Sequence, residues 1–175
     1  MRRAARYLGS ATGTPPVMLD QLRRLLSDIA GAPEPGFAVD DHRVAAAALL
    51  VNLIHADGQT SGNEKTVLHD VLKARFGLDE AETAELIETA QRREADAVDL
   101  YGFTSVLKRS LDAEGRAGVV EMMWEIVFAD GAAHELEDNI VWRAADLLGV
   151  SDRERVELKR RIAARAGRLG TAETV

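Results

Sequence analysis

The chain has 175 residues, enough for one domain with a sizeable core, and a 46% hydrophobic, 29% charged, 5% aromatic composition favours a helix-rich globular protein. It has no cysteine, which excludes disulfides, zinc–thiolate sites and cysteine nucleophiles. The net charge of −7 is uneven: residues 1–17 carry +3 and residues 159–170 carry +5, both without acids, so the body between them is strongly acidic and unsuited to nucleic acid.

Residues 1–17 have no periodicity and read as a disordered leader or extension, either an Arg-rich, acid-free segment of transit-peptide type or an extension before a natural start at Met18; arginines without an apolar core do not make a secretory signal. Over residues 18–30, Leu19, Leu22, Leu25, Leu26 and Ile29 form one helical stripe. Such a helix suits packing on its own domain, a homodimer contact, or peripheral docking on a membrane surface. Residues 31–36 are a Pro/Gly linker, residues 37–170 the helical domain and residues 171–175 a tail. The longest apolar run, 44–51, stops at Asn52, so no segment is expected to cross a membrane.

Within the domain, Asp40 or Asp41 caps a helix running through Val44, Ala47, Ala48, Val51 and Ile54, whose alanine tract permits close approach and suggests a central position. The next helix starts near Ser61, shows Val67, Leu68, Val71 and Leu72, and stops at Gly77. Asp79 caps a glutamate-rich helix through Leu86 and Ile87, expected to be largely solvated. Asp99 caps another, with Leu100, Phe103, Val106 and Leu107 inward. Asp112 precedes the most apolar segment, Val119 to Val127, where Met122, Met123 and Trp124 read as core. A helix with Ile140, Val141, Ala144, Leu147 and Leu148 ends at Gly149. Ser151 then caps a last helix with a stripe of Val156, Ile162, Ala163 and Leu169, whose basic end complements the helix dipole. No segment reads as a strand. The fold class is all-α, about seven to eight helices.

One phrase occurs twice. Ala56-Asp57-Gly58 with Glu64, and Ala129-Asp130-Gly131 with Glu137, each join an apolar helix to an amphipathic one, 73 residues apart. The Gly stops and capped helices that follow also correspond, after a one-residue slip. This predicts an internal duplication packed with pseudo-two-fold symmetry.

Each hinge places two carboxylates near a helix end, where freed carbonyls add oxygens, a donor set suited to a hard divalent cation. The spacing is not that of an EF-hand. An alternative is purely structural: Ser61-Gly62-Asn63-Glu64 has the form of a capping box. The second copy has His134 where the first has Ser61, and adds Glu135 and Asp138 around Glu137. His42, His55, His69 and His134 show no metalloprotease or di-iron spacing, and phosphate-loop and serine-hydrolase motifs are missing. A metal-dependent hydrolase is the remaining catalytic reading.

The twofold Ala-Asp-Gly…Glu arrangement, with Met123-Trp124-Glu125-Ile126-Val127-Phe128 leading into the second copy, resembles the TerB-like tellurite-resistance domain over residues 41–162, most specifically over 124–149. The resemblance implies a compact helical array, a link to tellurite and other stress resistance in bacteria, and no established catalysis. It implies a metal-cation role for Asp57, Glu64, Asp130 and Glu137. Related domains occur in a membrane-anchored J-domain co-chaperone, but the His-Pro-Asp triplet is missing here. The combined expectation is a non-catalytic cytoplasmic domain. It would bind a divalent cation, a partner protein or both, or serve as a structural interaction module with its carboxylates as caps.

Overall fold

A computed structural model describes residues 37–172 other than 39, 57, 59–60, 97–99 and 130–134, and side chains other than those of 96 and 168–172. The amphipathic stripe of 18–30, the Asp99 cap, His134 and the Leu169 side chain lie outside the described residues, as do Asp57 and Asp130. The described residues all fall in the compact unit Gly36–Val175. They form seven helices and no strand: α1 His42–Ile54, α2 Gly62–Phe76, α3 Glu80–Asp96, α4 Leu100–Ser110, α5 Ala113–Val127, α6 Glu135–Leu148 and α7 Asp152–Ala172. The all-α expectation holds, and no described helix is long and apolar enough to cross a membrane.

Helix α1 begins where Asp41 accepts the Arg43 N–H at 2.8 Å, which identifies the cap among the two candidate aspartates. It is apolar on every side, with Val44 to Val51, Leu53 and Ile54 all buried, and it packs on α2, α3, α4, α5 and α6. The alanine tract thus occupies the centre of the domain. Helix α5 is its counterpart in the second half. Asp112 caps it through the Gly115 N–H at 2.8 Å, and Met123 and Trp124 are 0% and 1% exposed.

Both amphipathic helices stop in the same way. Gly77 and Gly149 adopt left-handed φ of 63° and 74°. The next residue, Leu78 or Val150, sends its N–H back to the carbonyl of Lys73 or Ala145 at 3.1 and 3.0 Å and buries its side chain. This is the Schellman stop, used twice. The helix pairings correspond as well. Helix α1 packs on α2 and α3 as α5 packs on α6 and α7; α2 packs on α5 as α6 packs on α1; α1 and α5 touch each other. Among the described helices, α4 alone has no counterpart, and it packs on α1 and α6.

Two expectations need correction. Helix α3 is not simply a solvated helix: Thr83, Leu86 and Ala90 are each 0% exposed against α1, and its glutamates occupy the remaining surface. Its start is a reciprocal box, Glu82 N–H to Asp79 Oδ1 and Asp79 N–H to Glu82 Oε2, both 2.9 Å. In α7 the buried anchors are Leu158 and Ile162, with Val156 and Ala163 only half-buried. Its basic residues do not sit over the helix's own C-terminus: the last turn has none, and Arg161 and Arg165 reach Glu121 and Glu125 of α5 instead. Side chains seek opposite charge on the neighbouring helix before a screened dipole end.

Candidate functional site

The first hinge starts where α1 runs out. The Ala56 N–H bonds Leu53 O at 3.2 Å and the Gly58 N–H bonds His55 O at 3.1 Å. Gly58 has φ 72°, a left-handed turn that other residues adopt with strain. Ser61 then opens α2. Its Oγ accepts the Glu64 N–H at 3.1 Å, while Glu64 Oε2 accepts the Ser61 N–H at 2.7 Å. The capping box expected from the sequence is therefore closed, and it gives the Glu64 carboxylate, 7% exposed, a specific hydrogen-bond partner.

Helix α3 adds a carboxylate that the linear pattern did not single out. Glu94 accepts from Asn52 Nδ2 at 3.3 Å and lies 3.4 Å from His55 Nδ1, at the C-terminal end of α1. Glu94 is partly buried, with its side chain 13% exposed, and burial is set by packing between distant segments.

The second hinge repeats the start of the first, with the Ala129 N–H on Ile126 O at 2.9 Å. The described chain resumes at Glu135. Glu137, in the first turn of α6, is 5% exposed, so it and Glu64 are the buried carboxylates among the described residues. Glu135 and Asp138 share that turn. Asp138 is paired with Lys159 of α7, whose Nζ stands 4.8 Å above the ring of Trp124. Beside it, Trp142 carries Arg155 stacked 4.0 Å over its ring and lines an open groove of about 430 Å³ with Glu135, Asp138 and Asp146.

The structure thus brings Glu64 and Glu137 to equivalent, buried first-turn positions, while Asp57 and Asp130 lie outside the described residues. Among the described residues no three His, Asp or Glu side chains group as metal ligands. A cation at either hinge would need Asp57 or Asp130 and backbone oxygens. At the first hinge Glu64 accepts a backbone N–H, and at the second Glu137 shares its turn with Glu135 and with Asp138, which is paired with Lys159.

No curated protein and no solved structure matches the chain. The family model described as tellurite resistance protein TerB matches residues 43–160, which run from the start of α1 into α7 and include both hinges. A match over more than half of the 175 residues, on a fold of two corresponding helical units, settles the family: the chain belongs to the TerB tellurite-resistance family.

Proposed function

We propose that this TerB domain is a non-catalytic, cytoplasmic stress-response module that binds a divalent cation at its second hinge through Asp130 and Glu137, and recruits a partner protein from there. The observation that carries this reading is the burial of Glu137 in a helix turn that also holds Glu135 and Asp138. Lys159 offsets Asp138, and a cation held through oxygens would stabilise the acids that remain. In this reading Asp57 and Glu64 form the same constellation at the first hinge, where the Glu64 carboxylate also accepts the Ser61 N–H.

A second reading has its own support. The closed box at Ser61 and Glu64 favours a structural module in which the repeated carboxylates fix helix starts. Titration with Ca²⁺, Mg²⁺, Mn²⁺ and Zn²⁺, followed by amide NMR shifts, separates the two. Cation binding predicts saturable shifts around residues 129–138 that Asp130→Asn and Glu137→Gln abolish. Shifts that survive both substitutions, or a chain that responds to none of the four ions, leave the structural module standing.

A further inference from the structure

Helices α2 and α6 meet the helices that follow them in different ways. His69 and Lys73 of α2 correspond to Trp142 and Asp146 of α6 at a spacing of 73 residues, and Glu80 of α3 corresponds to Asp152 of α7 at 72. In the first unit Glu80 bridges the groove between its two helices. Its Oε1 lies 3.0 Å from His69 Nε2, and its Oε2 accepts from Lys73 Nζ at 2.6 Å. That bridge has no equivalent in the second unit, where Asp146 and Asp152 are both acids. Helices α6 and α7 are tied at other points: Lys159 pairs with Asp138, and Arg155 stacks on Trp142 and donates to its carbonyl oxygen at 3.3 Å.

These ties leave the outer stripe of α6 unengaged. Glu135, Asn139, Trp142 and Asp146 follow one another at i, i+4, i+7 and i+11, so they share one helix face over about 16 Å. They line the open groove of about 430 Å³, with Arg143 at its margin. Glu135, Asn139, Arg143 and Asp146 are exposed, and their side chains make no hydrogen bond or ion pair among the described residues. Trp142 lies half-buried between the two acids. Residues 36–175 carry 26 acids against 17 basic residues, a net −9, so the field of the whole domain attracts basic partners and repels acidic ones.

We propose that this stripe is a docking surface for a basic amphipathic segment of a partner protein. Lysines or arginines of the segment pair with Glu135 and Asp146, and an apolar side chain between them covers Trp142. The inference rests on the partner-recruiting half of the function proposed above and gives that partner its chemistry. Trp142 with its stacked Arg155 supplies the anchor, and the acids at the two ends set the register. Arg143, off the stripe, works against a segment whose basic residues fall on that side.

A synthetic helix of leucine and lysine, about 14 residues long, is titrated into the full chain in about 0.1 M NaCl and followed by amide NMR shifts. Saturable shifts are expected along residues 135–146, and none from the same peptide with glutamate in place of lysine. Asp146→Lys, made at an exposed position, is expected to weaken binding about fivefold. Combining it with Trp142→His, which reproduces the residue pair of the first unit, is expected to weaken it more than about tenfold. Glu85→Lys with Glu88→Lys on α3 changes the net charge twice as much as Asp146→Lys, yet should keep the affinity within about twofold. Equal weakening by that α3 variant, affinity unchanged by the α6 substitutions, binding of the glutamate peptide, or no binding of the lysine peptide each overturns the docking surface. None of these outcomes touches the cation reading, which stands or falls on divalent-ion shifts of the unaltered chain around residues 129–138.

Discussion

Arg75 lies against the backbone of α5 at Gly118, so closely that a Cβ added there would come within 1.5 Å of its Nη2. The guanidinium is the free end of a long, exposed side chain and can swing away. At the corresponding position of the first unit, 73 residues earlier, Ala45 is accommodated in the core.

Gly118→Ala is therefore expected to stabilise the fold. Alanine is favoured over glycine in a helix interior by about 1 kcal/mol, and displacing an exposed arginine offsets part of that, leaving a gain of about 0.5 kcal/mol. Urea unfolding checks the sign. A loss of stability would mean that the seat of Arg75 on α5 matters more than helix propensity.

Ser61→Ala opens the capping box and is expected to cost about 1 kcal/mol, and a purely structural cap costs the same with and without added divalent cation. Ser151→Ala should cost less, since its Oγ accepts the Glu154 N–H at a long 3.4 Å from an exposed position. Comparing the two unfolding midpoints tests that order. A Ser61→Ala penalty that changes when metal is added would contradict the purely structural role of the cap.

The two Schellman stops make a matched pair of sites. Alanine in the left-handed region is disfavoured by about 1–2 kcal/mol, and Gly77→Ala and Gly149→Ala should each lose about that much. Neither position has a crowding obstacle, as the nearest atom to a Cβ at Gly149 is 3.9 Å away and Gly77 has none within 4 Å. The loss measured by thermal or urea melting should thus be similar at both.

Two carboxylates give stability opposite dependences on pH. The folded pKa of Glu125 is raised, by burial first and Glu121 second, so the folded state holds that proton more tightly than the unfolded chain. Its contribution favours folding at low pH and is lost as pH rises from the ordinary value of 4.5 through the raised one. Glu125→Gln should remove this term and raise stability at neutral pH. Asp41 behaves in the opposite sense. Burial opposes its ionisation, but the hydrogen bonds and charge of Arg43 outweigh that and hold it below 3.8, so its contribution is present above 3.8 and fades as pH falls. Unfolding midpoints of the Glu125→Gln and Asp41→Asn variants across pH 3–7 would separate the two slopes.

What the sequence made legible was local. Ser61 with Glu64, Asp112 and the two glycine stops are read from residues within a few positions of one another, and each appears where its pattern puts it. The duplication was legible for the same reason, since it is a repetition of such local patterns. Contacts between distant segments were not. Nothing near Arg161 announces Glu121, 40 residues earlier, and beyond Leu86 nothing in the glutamate-rich run of α3 marks Thr83 and Ala90 as core or Glu94 as the partner of Asn52. At the hinges the sequence identified Glu64 and Glu137 as a pair; their shared burial is a property of the packed units.

Helix α4, the one described helix without a counterpart, bears on how the two units are joined. The exchanged contacts, α2 on α5 and α6 on α1, are those that two identical three-helix units would make across a two-fold axis. Without α4 between them, the units would amount to a symmetric homodimer of a single ancestral segment. With α4 packed on both α1 and α6, the partner is always present at fixed geometry, and each copy is released from having to fit itself. The halves accordingly differ at matched positions, with Glu121 where Ala48 stands and His134 where Ser61 stands, and neither residue is imposed on the other half.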